Sequence, residues 1–403
     1  MKNILLYGIW GVYNYGCEAI VRGTVNSLRT MFPDATITYA SFDVEDDKKR
    51  LKGCDIKIIE RPFHNSLIKR IIRKLLSYVN IDYPVYIDSF DLVNDYDLIV
   101  SIGGDMYTIS STGYYPYSLM KFGDVAIQKG KKYILWGCSI GPFDDHPKIL
   151  RKFQQHLGNV SLIVSREHET VEYLEKIGVS NNVFFAPDPA YNVATDNIKI
   201  DDNSTEISAI GINLSPLSTL YFTDNLEEAI KNQSKTISDI IKELNCKVIL
   251  LPHVLSKDIK DDDYRYLLKI KNIVSKIHGN RIEIVENDPG FIGIKEHIKR
   301  CDVVVAARMH CAVNAVATHI PAIFLSYSKK SLGMANLIYK STDFVMDLEE
   351  FNNSGAIIAK IREILKIDKP NFYSKVNELR RTSYLGEVKK HILTSTQRSA
   401  IND

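Results

Sequence analysis

The chain has very little net charge. Its 51 Lys and Arg residues stand against 49 Asp and Glu, a formal balance of +2 over 403 residues. No global basic field argues for a nucleic-acid partner. Long apolar runs are also missing. No stretch of about eighteen apolar residues occurs, so no transmembrane helix is expected. The start, MKNILLYGIW, reaches glycine too soon for a signal peptide and reads as a first core strand. Cysteine is sparse and scattered, at 17, 54, 138, 246, 301 and 311, with no CxxC pair. Most lie in apolar segments, which points to reduced core residues of a cytoplasmic protein. No His, Cys and Asp group has metal-ligand spacing, so no metal is expected. The glycines at 8, 11 and 16 do not fit GxGxxG, which argues against a dinucleotide fingerprint.

What is present is alternation. Composition is that of a globular protein, 45% hydrophobic and 25% charged. Strands are expected at 3–7, 37–42, 55–59, 97–102, 132–136, 162–165 and 183–186. Helices are expected at 17–31, 118–129, 147–157 and 168–177. Residues 194–206, ATDNIKIDDNSTE, break this pattern and read as a linker. A second series follows, with strands at 207–214, 247–252, 282–285, 302–306 and 322–325. Its helices are expected at 224–244, 263–278, 291–300 and 311–318. From 354 the chain turns helical, with segments near 354–366 and 373–392. The fold class is therefore α/β: two domains with parallel sheets, 1–195 and 206–350, and a helical C-terminal segment over 351–403.

Two α/β domains joined by a linker create a cleft between two sets of strand ends, where ligands tend to bind. Candidate residues are Asn14 and Glu18 after the first strand, Asp105, Arg166, Asp188, His253, and the run Arg308-Met309-His310. Arg308 and His310 stand where a buried strand turns into an apolar helix. Arginine suits a carboxylate or phosphate by its planar fork of donors. Each candidate has a plainer reading. Asn14 and Glu18 can cap the first helix. Asp105 can be an N-cap, Arg166 can pair with Glu167 or Glu169, and Asp188 can stabilise its proline-flanked turn. His253 can be a satisfied strand-end residue. Residues 63–81 are amphipathic, with Leu67, Ile68, Ile71, Ile72, Leu75, Leu76 and Val79 against Lys69, Arg70, Arg73 and Lys74. Two readings stay open there: an ordinary surface helix, or one resting peripherally on an anionic membrane face. The polar, tyrosine-rich stretch after Asp105 is too long to be a mere connector and could stack on sugars.

Several segments together resemble the polysaccharide pyruvyltransferase family. They are NYGCEAIVRG (14–23), SIGGDMY (101–107), WGCSIGPF (136–143), SREHETVEYLEKIGV (165–179), PDPAYNV (187–193), GINLSP (211–216), LLPHV (250–254) and ARMHCAVNAVATHIPAIFLSYSKKS (307–331). The chain departs from the family at Cys17, where many relatives have Asp, and at Ile102, where the glycine triplet would begin. The resemblance implies a GT-B-like fold of two facing Rossmann-like domains. It implies transfer of the enolpyruvyl group of phosphoenolpyruvate to a sugar of a surface-polysaccharide precursor, giving a cyclic pyruvate ketal. Phosphoenolpyruvate would be a co-substrate, with no bound cofactor needed, and the sugar acceptor could be a lipid-linked oligosaccharide. Carried over, Arg166 and Arg308 would hold phosphate and carboxylate, with Met309 between the functional pair. His310 would be the acid, and Asp105 would lie near the acceptor. Rival readings are a nucleotide-sugar-dependent glycosyltransferase and a non-catalytic carbohydrate-binding component of polysaccharide assembly.

Overall fold

The computed structural model describes residues 1–62, 71, 72, 75, 87–109, 116–193, 207–326 and 330–395. The chain forms two compact units. The first comprises 1–12, 20–192 and 382–403, and the second 13–19 and 193–381. The expected linker, 194–206, lies outside the described residues.

The first unit is built on seven strands: β1 Asn3–Tyr7, β2 Thr36–Ser41, β3 Lys57–Glu60, β4 Leu98–Ile102, β5 Lys132–Cys138, β6 Leu162–Ser165 and β7 Val183–Phe185. They lie in the order β3-β2-β1-β4-β5-β6-β7, all parallel. The second unit contains β8 Ala209–Asn213, β9 Lys247–Leu250, β10 Ile282–Ile284, β11 Val303–Ala306, β12 Ala322–Ser326 and β13 Val345–Asp347. Their order is β10-β9-β8-β11-β12-β13, again all parallel. Each is a doubly wound sheet, so each has one topological switch point: β1/β4 in the first unit and β8/β11 in the second.

The physical cause is visible along the strands. β4 (LIVSI) and β11 (VVVA) are buried at every position. Strands covered by helices on both faces need such continuous apolar runs. Each fully buried Val, Leu or Ile side chain contributes about 1.5–3 kcal/mol. Helix ends follow local chemistry. Asp262 accepts from the Arg265 amide at 2.7 Å to start the helix Asp263–His278. The helix Met309–Ala317 stops where His319 adopts φ +61°, two residues before Pro321.

Two expectations need correction. The helix expected over 373–392 is two helices, Lys369–Leu379 and Leu385–Thr394, and between them the chain passes from the second unit back to the first. The C-terminal segment is therefore shared between the units rather than being a piece of its own. Lys132 Nζ receives the end of the last helix, donating to the carbonyls of Ile392 at 2.5 Å and Ser395 at 2.9 Å. The helix Lys330–Tyr339 and strand β13 were not expected at all. No helix among the described residues is long and apolar enough to cross a membrane. Of the amphipathic stretch 63–81, only residues 71, 72 and 75 are described. Ile71, Ile72 and Leu75 are helical and exposed.

Candidate active site

The second unit gathers most of the candidates at its switch point. Asn213 ends β8, and its side chain ties three neighbours. Its Oδ1 accepts from the Arg308 amide at 2.8 Å, and its Nδ2 donates to the Leu251 carbonyl at 2.9 Å and to Asp263 Oδ2 at 3.2 Å. Asp263 is fully buried and receives more. The His253 and Val254 amides donate to it at 3.1 and 3.2 Å. Arg308 Nε and Nη2 donate to its Oδ1 at 3.1 and 2.9 Å. Arg308 Nη2 also reaches Asp261 Oδ1 at 2.6 Å.

Arg308, the N-cap of the helix Met309–Ala317, is thus held from one side by two carboxylates. Burial alone would lower its pKa, but Asp263 and Asp261 outweigh it and raise it, so the guanidinium stays charged. Its side chain is 13% exposed, and Nη1 has no hydrogen-bond partner among the described residues. Arg308 can offer Nη1 to an anion; the rest of its fork is committed. Met309 and His310 follow as the first two residues of that helix, both partly exposed. The helix N-terminus adds favourable potential for an anion there.

A segment from far away in sequence completes this cluster. Residues 13–19 leave the first unit and pack with the second. Asn14 bridges to Val254, and the Tyr15 amide donates to the His253 carbonyl at 2.9 Å. Tyr15 Oη donates to Asp288 Oδ1 at 2.6 Å. Gly16 lies directly against His310: a Cβ there would fall 2.6 Å from His310 Nδ1.

His253 is buried under this cluster. Its Nδ1 lies 3.4 Å from the Leu251 carbonyl, while Nε2 is buried with no hydrogen-bond partner among the described residues. Burial pulls its pKa down to about 3, and His310 and Arg308 add to the effect. His253 is therefore neutral at any ordinary pH and cannot deliver a proton as an imidazolium.

The first unit holds the remaining candidates. Arg166 follows β6 and is 1% exposed. Its Nη1 donates to Asp188 Oδ2 at 2.7 Å, and its Nη2 lies 3.3 Å from Ser139 Oγ and 3.7 Å from Asp105 Oδ1. Gly104 makes room for it, since a Cβ there would sit 2.7 Å from Nη2. Asp105, by contrast, is 52% exposed. Arg166 is thus a buried cation paired with Asp188 that supports the Gly103-Gly104-Asp105 turn, with the buried Glu167 adding a weaker favourable charge, rather than half of a surface ion pair.

Three residues expected at a substrate are engaged elsewhere. Asn14 Oδ1 accepts from the Gly16 amide at 2.9 Å and turns the start of the first helix. Glu18 is buried, and its Oε2 accepts from the Phe291 amide at 2.8 Å, at the N-terminus of the helix Gly290–Ile298. Asp188 is fully buried between Arg166 and the Ala190 amide. These are positioning roles. Conversely, Asn213, Asp261 and Asp263 were missed. The acidic run DDD at 261–263, just before a helix, offered only a capping signal, and GINLSP carried Asn213 without marking its role. No group of three or more His, Cys, Asp or Glu among the described residues is arranged to hold a metal ion. The tyrosine-rich stretch is described only up to 109 and from 116.

The chain is 24% identical over 397 residues to the amylovoran biosynthesis protein AmsJ of Erwinia amylovora, covering 90% of this chain and 92% of that protein. Among solved structures it is similar to the UDP-GlcNAc 2-epimerase of Neisseria meningitidis bound to UDP-GlcNAc (TM-score 0.61, 11% identity, 98% of this chain and 100% of that one). It is also similar to Anabaena Alr3699/HepE in complex with UDP and glucose (TM-score 0.57, 12% identity, 98% and 100%). At such identities these structures speak for the fold alone, which is GT-B-like. The family model for polysaccharide pyruvyl transferase matches residues 14–329, from the Asn14 turn through His310 and beyond, and the chain belongs to that family.

Proposed function

We propose that this chain transfers the pyruvyl group of phosphoenolpyruvate to two hydroxyls of a sugar in a surface-polysaccharide precursor, forming a cyclic ketal. The observation that carries the reading is the Arg308-Met309-His310 turn at the switch point of the second unit. There a charged guanidinium, a helix N-terminus and a partly exposed imidazole come together. The chemistry asks for those three things. A proton is added to the methylene carbon of phosphoenolpyruvate. A sugar hydroxyl attacks C2 and gives up its proton. Phosphate then leaves, and a second hydroxyl closes the ring. Arg308 Nη1 and the helix dipole would offset charge on phosphate or carboxylate. His310 is the histidine assigned to proton delivery, because His253 is held neutral by burial. Asp105, exposed and backed by Arg166, is assigned to the attacking hydroxyl. No bound cofactor enters this scheme.

The test is phosphate release from phosphoenolpyruvate across a panel of galactosides, glucosides and mannosamine derivatives. His310→Ala and Arg308→Ala are each expected to lower turnover at least about a hundredfold. Near-native turnover of either variant would sink the assignment. Titration with phosphoenolpyruvate against a set of nucleotide sugars separates this reading from a nucleotide-sugar-dependent glycosyltransferase. Sugar binding without phosphate release would mark a non-catalytic carbohydrate-binding component. We further propose a lipid-linked acceptor, reached at the membrane surface through residues 63–81. The exposed Ile71, Ile72 and Leu75 support this part.

A further inference from the structure

Four polar side chains meet in the core of the first unit, where apolar ones could fill the same space. Tyr107 and Tyr133 are fully buried, and His156 is nearly so. His156 Nδ1 lies 2.7 Å from Asp124 Oδ1, and its Nε2 lies 3.3 Å from Tyr107 Oη. Tyr107 Oη lies in turn 3.0 Å from Tyr133 Oη. Burial would raise the pKa of Asp124, but its hydrogen bond and charge interaction with His156 outweigh this, so the carboxylate stays ionised. Burial raises the pKa of Tyr107, which stays a phenol. The carboxylate therefore takes the Nδ1 proton, and Nε2 is left to accept from the Tyr107 hydroxyl. The Tyr107 and His156 rings lie 7° from parallel with centroids 5.7 Å apart. Gly123 leaves room for them, since a Cβ there would fall 2.8 Å from His156 Cε1.

Three of the four sit on regular elements: Asp124 on the helix Tyr117–Gln128, His156 on the helix Pro147–Asn159, and Tyr133 on β5. Tyr107 does not. It lies in the loop after β4, two residues beyond Asp105. The main chain of that loop is held on both sides of Asp105. The Ser139 amide donates to the Gly104 carbonyl at 2.7 Å, and the Gly141 amide donates to the Tyr107 carbonyl at 3.0 Å. Thr108 Oγ1 donates to the Asp105 carbonyl at 2.9 Å and tightens the turn. A buried polar network whose members are all satisfied rigidifies what it holds. We propose that Tyr107, clasped by His156 and Asp124, is a positioning residue that sets where the Asp105 carboxylate meets the acceptor hydroxyl. That Asp105 serves the acceptor rests on the pyruvyl-transfer reading; the clasp on the turn does not.

The experiment compares full-length His156→Leu, His156→Gln and Tyr107→Phe with the unaltered chain. Hydrogen exchange read by mass spectrometry reports the turn, and kinetics with phosphoenolpyruvate and an accepted sugar report its use. His156→Leu removes the partner of Tyr107, whereas His156→Gln keeps an amide for it. Faster exchange over residues 103–108 is expected in His156→Leu and Tyr107→Phe, with kcat/KM for the sugar lowered about a hundredfold. Affinity for phosphoenolpyruvate is expected to stay unchanged, and the stoichiometry of that titration counts the folded protein. His156→Gln is expected to recover most of the turnover. A merely structural role predicts a lower Tm with kcat/KM per folded molecule untouched. That result overturns the proposal, as does native exchange over 103–108 in His156→Leu, or a His156→Gln protein as impaired as His156→Leu. Should Tyr107→Phe not fold, the two His156 variants carry the test. Faster exchange over 103–108 in a protein that consumes no phosphoenolpyruvate supports the clasp and removes the pyruvyl-transfer reading.

Discussion

Gly16 and His310 are separated by nearly three hundred residues, yet a methyl group on Gly16 would lie 2.6 Å from His310 Nδ1. The glycine of the first family segment is therefore a seat for the histidine of the last one. Glu18, bonded to the Phe291 amide, and Tyr15, bonded to Asp288 and to the His253 carbonyl, fasten that seat to the second unit.

Gly16→Ala is expected to move the imidazole and lower turnover about a hundredfold, as misplacement of a reacting group by about 1 Å can do. The same Cβ would also lie 2.7 and 2.9 Å from His310 Cγ and Cβ, so some stability is lost as well, about 1 kcal/mol, although alanine in the first turn of a helix is itself favourable. Gly23→Ala is the contrast. Its Cβ would fall 1.8 Å from the Pro189 carbonyl oxygen, so it should cost about 1–3 kcal/mol. Thermal unfolding and initial rates on both variants check the pair. A Gly16→Ala protein with native turnover would refute the role of the seat.

Asp263→Ala should be far more damaging than Asp261→Ala. Asp263 is fully buried and accepts from Arg308, Asn213 and two backbone amides. Removing it leaves buried donors unmatched and Arg308 with Asp261 alone, at about 3–5 kcal/mol. Asp261 is partly exposed, and its loss should cost about 1 kcal/mol or less. Urea unfolding of the two variants measures the difference; equal losses would contradict this picture.

His253 predicts an acid limb in stability. Its folded pKa is about 3 against an ordinary 6.5, so the unfolded chain binds its proton first. Its contribution is complete above about pH 6.5 and declines as pH falls toward 3, on the order of 5 kcal/mol in all. His253→Gln should flatten the slope of unfolding free energy between pH 6.5 and 4.5. A variant with an undiminished slope would place the acid sensitivity elsewhere.

The stretch 63–81 is tested by co-sedimentation with anionic vesicles. Neutralising Lys69, Arg70, Arg73 and Lys74 should remove about 1 kcal/mol of binding each. Absence of binding, or binding indifferent to those changes, would remove the membrane proposal.

Strand and helix alternation could be read directly, because buried parallel strands must be apolar along their length. β6 at 162–165 and the helix at 263–278 match their expected bounds. The helix break near 382 could not be read, since apolar periodicity runs through 373–392 while the chain changes unit there. In the candidate site, Arg308 and His310 were legible because a cation and an imidazole beside a buried strand need a reason. Their surroundings were not. Which carboxylates hold Arg308, why Gly16 is a glycine, and that Glu18 and Asp188 serve buried neighbours all depend on contacts between residues tens to hundreds of positions apart. Sequence determined the elements and the polar residues at their ends, since those follow from local periodicity and capping. Tertiary structure alone decided which of those residues remain open to solvent and which are consumed in holding the others, because burial and pairing are properties of neighbours in space.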